Sequence, residues 1–431
     1  MEDEKFDAIV VGAGPAGSAA ALTMAKAGLN VVMFERGEYP GAKNMMGGVM
    51  FREATEAVFG SFWEDDIVER SVVEQRMWML GQESVVNFGF RSQEFARPPY
   101  NAFTVLRAKT DPYFARKAEE AGAFLIPETQ VTDLIWEGGK IVGVRTGREG
   151  DLYADVVLVA EGVNAWAAVS AGLRKDYTAN DTALAVKEIH SLPEEVINQR
   201  FNVPSGQGVT ILITGEFANG MMASGFIYTN KDTLSVGVGA ITSHMMEQVV
   251  NPNRLLNDMK AHPAVQPLLE GTEVKEYAAH LIPEVKYDEL PRPYGNGYML
   301  LGDTAGFVNF LFQEGSNLAI TSGRLAGETA IAAHEKGDYS AEALALYDRK
   351  LHDSFVMKDL YALRKAPSFF RGHREFFGAY PRILNRAAQE FLTVDETPKR
   401  GKLGKIVRGA HRDRPLWKVG GDMLAAIRAF I

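Results

Sequence analysis

The chain opens on a compact apolar run, Phe6 to Val11, which stops at Gly12-Ala13-Gly14-Pro15-Ala16-Gly17 and gives way to the alanine-rich stretch Ser18 to Ala27. An apolar run of that length bounded by glycine reads as a buried strand, and the alanine stretch reads as a helix. Gly28 marks the helix end, and Asn30 to Glu35 reads as a second, parallel strand. The pattern predicts a complete strand–helix–strand unit in about thirty residues. Within it Gly12 permits the sharp turn, Gly14 lets backbone approach a pyrophosphate, and Gly17 lets helix and strand pack closely. The helix start offers free N–H donors and positive potential to an anion. Glu35 falls where a carboxylate can accept hydrogen bonds from both hydroxyls of an adenosine ribose and would repel a 2′-phosphate.

Further along, Thr110 to Ala123 carries Phe114, Ala118 and Ala121 on one side and charge on the other, predicting a surface helix that begins near Asp111-Pro112. Val131 to Leu134 and Lys140 to Thr146 read as a hairpin through Glu137-Gly138-Gly139, and Ala154 to Glu161 as another buried strand ending at Gly162. From about Thr182 to Thr242 the pattern changes to short alternating strands, among them Thr210 to Thr214, Gly225 to Tyr228 and Leu234 to Val238. That is the pattern of an antiparallel sheet able to roof a cofactor. Helical signals return after Gly315 and persist to the end, with no internal repeat or low-complexity tract.

Composition narrows the chemistry. With 431 residues, 46% hydrophobic and 23% charged, the chain can bury a large core and divide into two or three units. Its net charge of -9 argues against a general affinity for nucleic acid or anionic lipid, so any such contact must be local. The absence of cysteine removes disulfides, thiolate nucleophiles, redox dithiols and thiolate-held zinc or iron–sulfur clusters. The eight histidines are scattered without metal-ligand spacing, so His190 and His280 read as ordinary polar or core residues. The acidic start, Met1 to Phe6, lacks the features of a secretory signal, and no run approaches the ~18 apolar residues that span a bilayer. The expectation is an intracellular protein.

Tyr298 to Phe307 is an apolar strand running into Gly302-Asp303, and Gln313-Glu314-Gly315-Ser316-Asn317-Leu318-Ala319 opens a helix. With the N-terminal fingerprint, these residues resemble FAD proteins of the glutathione-reductase and hydroxylase superfamily. The resemblance assigns the ribityl contact to Asp303 and sets the start of the next helix, at Gly315, Ser316 and Asn317, toward the flavin pyrimidine. A helix start there would stabilise negative charge at the flavin N1/O2 edge. For Ser316 and Asn317 an ordinary N-cap role stands beside flavin contact.

Narrower features are Asn44-Met45-Met46-Gly47-Gly48, Arg107 with Lys109, Thr110 and Asp111, Ala160-Glu161-Gly162-Val163-Asn164, Lys187-Glu188 before Leu192-Pro193, Tyr277 to Pro283, and Ser322-Gly323-Arg324-Leu325-Ala326-Gly327-Glu328-Thr329. Over almost the whole chain they resemble the electron-transfer-flavoprotein:quinone oxidoreductases, most of all the FixC/EtfC type found in bifurcating complexes. The fold so implied is α/β (α+β): a Rossmann-like FAD domain from residues 1–80, 101–180 and 281–345, an antiparallel-sheet quinone-side domain from 81–100 and 181–280, and a helical region, 346–431, that docks a partner. The cofactor-binding residues implied are Gly12, Gly14, Pro15, Ala16, Gly17, Glu35, Arg36, Gly47, Gly48, Arg107, Val131, Ala160, Glu161, Gly162, Gly302, Asp303, Gly315, Ser316 and Asn317. Gly47 and Gly48 would lie beside the isoalloxazine and Arg107 near the diphosphate. No metal ligand and no catalytic side chain is implied, because the flavin performs the chemistry.

The chain departs from the family at two places. Members such as the mitochondrial enzyme carry a four-cysteine cluster, which this chain has no cysteine to hold, and Glu161 stands where the family has Asp before Gly162. The resemblance therefore implies partners: electron-transfer-flavoprotein α/β-type subunits, a small ferredoxin-like iron–sulfur subunit, and a membrane quinone, menaquinone or ubiquinone. It further implies a cytoplasmic protein lying on the inner face of the membrane. A second strand–GxGxxG–helix for NAD(P)H is missing; an NAD(P)H-dependent single-component hydroxylase or prenyl reductase is the alternative, and a subunit with purely structural FAD is another. Gly306 to Phe312 is expected to expose large apolar groups for lipid, and Pro367 to Pro381, aromatic with interspersed basic residues, suits a membrane interface or a partner alike. Between Lys399 and Lys418, eight Lys and Arg face one Asp, and Lys402 and Lys405 are expected to offer charge to an acidic partner.

Overall fold

Parallel pairing of the apolar runs read from the sequence organises the first of two units in the computed structural model, which describes residues 5–43 and 48–430. That unit comprises residues 1–69, 101–181 and 281–364, and the second comprises 70–100, 182–280 and 365–431.

In the first unit, β1 (Phe6–Val11) leads through the glycine turn into α1 (Pro15–Lys26) and on to β2 (Val31–Phe34). Next come α2 (Arg107–Glu120), β3 (Phe124–Ile126), β4 (Gly150–Val159) and β5 (Tyr298–Leu300). The sheet order is β5-β4-β1-β2-β3, all parallel, with Ile9 opposite both Val157 and Val32. Both faces of β1 and β2 are covered, which is why these strands are continuous apolar runs and not alternating ones. The expected hairpin forms from Val131–Glu137 and Lys140–Thr146, and its turn glycines, Gly138 and Gly139, have φ of 56° and 79°. α2 starts about a turn earlier than its Pro112 suggests, because Arg107 and Asp111 close an i,i+4 ion pair within its first turns.

The long helix α3 (Ser316–Lys336) packs against α1 through small residues. A Cβ on Gly323 would stand 2.1 Å from the Ala16 carbonyl oxygen, and one on Gly327 would stand 2.9 Å from that of Ala20. Glycine is therefore required for this approach, and it draws the starts of the two helices together.

The second unit is built on a sheet of strands Thr182–Ser191, Thr233–Ile241, Ala223–Thr229 and Gln207–Gly215, antiparallel in that order. Gln207–Gly215 then pairs in parallel with Val68–Leu80, which carries the hairpin partner Val85–Arg91. Val186, Ile211, Ile213, Ile227, Val236 and Val238 alternate into its core against Ile197, Phe201, Leu255 and Met259. Arg70, fully buried, ties the loops at one end. Its Nε and Nη atoms donate to the carbonyls of Asn230, Gln207 and Lys231 and to Asn198 Oδ1. Arg70→Ala leaves these acceptors buried and unmatched, so a loss of about 3 kcal/mol or more is expected. Hydrogen exchange in strands 207–215 and 233–241 should quicken accordingly; unchanged exchange would show that Arg70 is dispensable.

The C-terminal segment of this unit carries the helices α4 (Ala379–Leu392), α5 (Lys399–Asp413) and α6 (Leu416–Phe430), after a shorter one at Ala366–Gly372. Asn385 of α4 is buried, donates to the Met79 and Pro381 carbonyls, and accepts from Ser84 Oγ, which fixes α4 on the sheet. Residues Phe369, Phe370, Phe376 and Phe377 pack edge-to-face on one another, and Phe430 joins Phe369 and Phe370. The aromatic stretch expected at a membrane or partner surface is thus largely engaged in a local core, with Phe369 buried.

Two further expectations change. Of the Gly306–Phe312 segment, Phe307 and Asn309 are buried and Phe312 is the exposed large apolar residue. Lys402 is buried, its ammonium held by Asp395 and the Thr393 carbonyl, and Lys405 reaches Glu390. Neither lysine presents a free charge.

Candidate cofactor site

The turn after β1 is fixed from both sides. The Gly12 N–H donates to the Phe34 carbonyl and the Ala160 N–H to that of Val11, both at 2.8 Å. A Cβ on Gly12 would lie 2.3 Å from the Ala160 carbonyl oxygen, and one on Gly17 would lie 1.9 Å from that of Gly12. Gly14 differs, since a Cβ there meets no protein atom within 4 Å. Gly14 caps α1 without a side chain, Pro15 and Ala16 follow, and no acidic residue stands in the first turn. The helix start therefore keeps free N–H donors facing open space, the arrangement that receives a phosphate.

Glu35, at the end of β2, is buried. Its Oε1 accepts from the Gly37 N–H at 2.7 Å and its Oε2 from the Ala13 N–H at 3.3 Å. Burial raises its pKa, and these two N–H groups, with Arg36, oppose the rise. The Thr129 N–H donates to the Glu35 carbonyl, which places the buried Val131 two residues beyond the same corner. The Arg36 guanidinium lies over the Trp166 ring, 4.8 Å from its centre.

Glu161 accepts from the Ala167 and Ala168 N–H groups at 3.0 Å, capping the short helix Trp166–Ser170. The longer Glu side chain thus serves a local cap, while the Ala160–Glu161 backbone flanks Gly12 and the Gly162 carbonyl accepts from Thr304 Oγ1.

Gly302, at the end of β5, donates its N–H to Ser322 Oγ at 3.0 Å. A Cβ added to it would stand 3.3 Å from the Cβ atoms of both Ala16 and Ala319. The β5 turn, the start of α1 and the start of α3 therefore meet at one place. Burial pushes the Asp303 carboxyl up to about 6, against the charges of Arg107 and Arg174. Arg107 is itself buried and grips Asp111 with Nε and Nη2, each at 2.6 Å. It is not the exposed helix-start arginine its position could have made it.

Gly315 is the N-cap of α3, so neither Ser316 nor Asn317 caps the helix with its side chain, and the first turn holds no acid. Asn317 Nδ2 donates to Glu314 Oε2, while its buried Oδ1 has no partner among the described residues. Gly48 is buried and its carbonyl accepts from the Val105 N–H; Gly47 lies outside the described residues.

Two residues absent from the sequence reading complete the cluster. Arg174 is buried and donates Nη2 to the Val163 carbonyl, but its Nε and Nη1 have no partner among the described residues. It stacks on the Tyr177 ring at 3.7 Å, and the buried Tyr177 hydroxyl is likewise unmatched there. A cation and a phenol so placed ask for an acceptor, since buried donors without one are costly. The sequence Arg174-Lys175-Asp176-Tyr177 looks like a surface loop, so nothing in it distinguishes the inward arginine.

The site fits FAD on these observations: an open cradle over Gly14, two helix starts free of side-chain caps, and buried donors lacking acceptors. Elsewhere in the unit, Asp7, Asp155 and His334 approach within 4.8 Å of one another. Their polar atoms are engaged by protein: Lys5 pairs with Asp155, the Asn30 N–H donates to Asp7, and His334 Nδ1 meets the Tyr339 hydroxyl.

Comparison with known proteins places the chain. Residues 7–160 match the family described as FAD dependent oxidoreductase, and residues 366–431 match the ETF-QO/FixC family C-terminal domain. The chain is 45% identical over 428 residues to protein FixC of Azotobacter vinelandii, covering 99% of each chain. To the probable electron transfer flavoprotein-quinone oxidoreductase YdiS of Escherichia coli (strain K12) it is 40% identical over 411 residues, covering 95% of each. Among solved structures, a geranylgeranyl bacteriochlorophyll reductase-like protein of Thermoplasma acidophilum is similar with a TM-score of 0.74 and 19% identity, covering 97% of this chain and 99% of that one. The flavin-dependent brominase Bmp2 is similar with a TM-score of 0.66 and 19% identity, over 89% and 90% of the two chains. These two likenesses show the fold alone. The chain is an FAD-dependent oxidoreductase of electron transfer, and it belongs to the ETF-QO/FixC family.

Proposed function

We propose that the chain takes electrons from electron-transfer-flavoprotein subunits, by way of a small ferredoxin-like iron–sulfur subunit, and reduces a membrane quinone, menaquinone or ubiquinone, within a bifurcating complex. The observation that carries the reading is the meeting of the β1 turn, the Gly302–Asp303 turn and the start of α3 in a chain without cysteine. Bound FAD would supply two-electron and one-electron chemistry. The start of α1 would hold the pyrophosphate, with Arg107 behind it, and Glu35 the adenosine ribose. Asp303 would accept from the ribityl hydroxyls, Ser316 and Asn317 would present the α3 start to the pyrimidine edge, and Arg174 with Tyr177 would donate to the cofactor. With no cysteine to hold a cluster, the iron–sulfur step belongs to a partner.

Purification of the complex from its native host, with its chains and chromophores identified, tests the partners. Reoxidation of the photoreduced complex by a menaquinone or ubiquinone analogue tests the acceptor. Co-purification with an iron–sulfur chain and quinone-dependent reoxidation is expected. A lone chain bleached by NADPH would overturn the reading in favour of a single-component hydroxylase or reductase.

Asp303 adds a pH dependence. Its folded-state pKa of about 6 lies above the ordinary 3.8, so the flavin-free fold binds this proton more tightly than the unfolded chain. Stability of the flavin-free protein therefore falls as pH rises through that window. A carboxylate that accepts ribityl hydroxyls reverses this on binding, so FAD affinity should rise between about pH 5 and 7 with release of a proton. Fluorescence titration should show the slope in the natural protein and lose it in Asp303→Asn; a slope kept in the variant would assign it to another group.

A further inference from the structure

Arg174 is a buried cation without an ion pair. It is 6% exposed, and no carboxylate among the described residues stands within ion-pair distance of it. Its Nη2 donates to the Val163 and Asn164 carbonyls, while Nε and Nη1 have no acceptor among the described residues. Two carboxylates are near enough to feel its charge. Glu161 turns both oxygens to the Ala167 and Ala168 N–H groups, and burial pushes the Asp303 carboxyl up to about 6. Arg107 is the contrast, because Asp111 neutralises it through two hydrogen bonds.

A guanidinium cannot shed its charge by releasing a proton, and an interior charge without a counter-charge is strongly unfavourable. The balance therefore calls for an anion that the chain does not supply. In a flavoprotein the bound FAD offers two: the pyrophosphate, and the isoalloxazine once it is reduced.

The turn Gly302–Ala305 decides between them, because its ends lie in different neighbourhoods. At its start, a Cβ on Gly302 would stand 3.3 Å from Ala16 of α1, beside the phosphate cradle. Just past its end, a Cβ on Gly306 would stand 3.0 Å from the Tyr177 hydroxyl, and the Arg174 guanidinium lies on that tyrosine's ring. The chain then continues toward α3, where a Cβ on Gly315 would find Val308 at 3.9 Å. Arg174 and Tyr177 thus flank the end of the turn that leads to the start of α3. The start of α1 has its own free N–H donors for the pyrophosphate.

We propose that Arg174 is the counter-charge of the reduced flavin and sets its reduction potential. Two electrons from the iron–sulfur partner and one proton from solvent leave the isoalloxazine with one more negative charge than the oxidised ring. A fixed cation in a site of low dielectric favours that form over the neutral oxidised one, which raises the potential. The start of α3 acts in the same sense with a partial charge. Burial raises the pKa of the Tyr177 hydroxyl against the Arg174 charge, so the phenol stays neutral beneath the guanidinium and does not cancel it. The inference deepens the reading of the cofactor site and rests on the FAD placement proposed above; it does not depend on the electron acceptor.

The test is the midpoint potential of the flavin-loaded full chain, read from flavin absorbance during slow anaerobic reduction beside a dye of known potential. Affinity for oxidised FAD is measured alongside. Arg174→Met should weaken binding of reduced FAD at least ~10-fold more than that of oxidised FAD, which lowers the potential by at least ~30 mV for a two-electron couple. Tyr177→Phe, which keeps the cation, should shift the potential by less than half as much. Where the methionine variant holds too little flavin to titrate, Arg174→Gln takes its place under the same criterion. Equal loss of both forms would overturn the proposal and make the pyrophosphate the counter-anion, with the FAD placement intact. Unchanged potential and unchanged affinity would also overturn it and leave Arg174 a packing residue. A natural chain that binds no FAD would bring down the placement itself, and the proposal with it.

Discussion

Gly14→Val is expected to give a folded, colourless protein. The added side chain projects from a position where even its Cβ meets no protein atom within 4 Å, and the Gly14 φ of -72° is one that any residue adopts. The fold thus has no objection to valine, but the space it enters is the one the pyrophosphate needs. Separating the phosphate from the α1 N–H groups removes several charge-assisted hydrogen bonds, so FAD affinity should drop at least ~100-fold, equivalent to about 3 kcal/mol. The thermal midpoint of the flavin-free protein should be unchanged. Gly17→Val, by contrast, drives a Cβ to within 1.9 Å of the Gly12 carbonyl oxygen and should lose both the fold of this unit and the flavin. If Gly14→Val stayed yellow, the pyrophosphate would lie elsewhere.

Arg174→Met should move two quantities in opposite directions. In the flavin-free protein the guanidinium carries two buried donors without acceptors, each of which costs about 1–3 kcal/mol. A methionine of similar length removes that cost along with the bonds to the Val163 and Asn164 carbonyls, so the thermal midpoint of the flavin-free protein should hold or rise. If FAD satisfies those donors, the same change should weaken its binding by roughly ten- to a hundredfold. A purely structural arginine would instead lower the midpoint and leave flavin affinity alone. Calorimetry of the flavin-free variant, paired with a flavin titration, separates the two.

How much of this was legible in the sequence follows from how local each signal is. The β1–α1–β2 unit, the glycine hairpin and the Gly302–Asp303 turn are written in short windows, where periodicity and glycine placement fix the backbone. The change near Thr182 to alternating strands was equally visible. The parallel pairing of Gln207–Gly215 with Val68–Leu80 was not, because it joins segments far apart in sequence and alternation alone does not choose a partner.

Side-chain direction was the other blind spot. Lys402 read as a surface cation and is buried, because Asp395 stands where it can be neutralised. Phe307 read as a lipid contact and lies inside. Arg174 sits in a polar run with no periodicity to mark an inward residue. Conversely, α6 has an amphipathic pattern whose outward apolar face becomes visible only once Asp422 is seen to anchor the opposite side.

The most direct measurement is anaerobic mixing of the oxidised, flavin-loaded chain, in turn with NADPH and with its reduced electron-transfer-flavoprotein and iron–sulfur partners, followed by flavin absorbance. The account predicts that the oxidised spectrum persists with NADPH, bleaches with the reduced partners, and returns on addition of a quinone analogue. Rapid bleaching by NADPH, with no response to the partners, would contradict it.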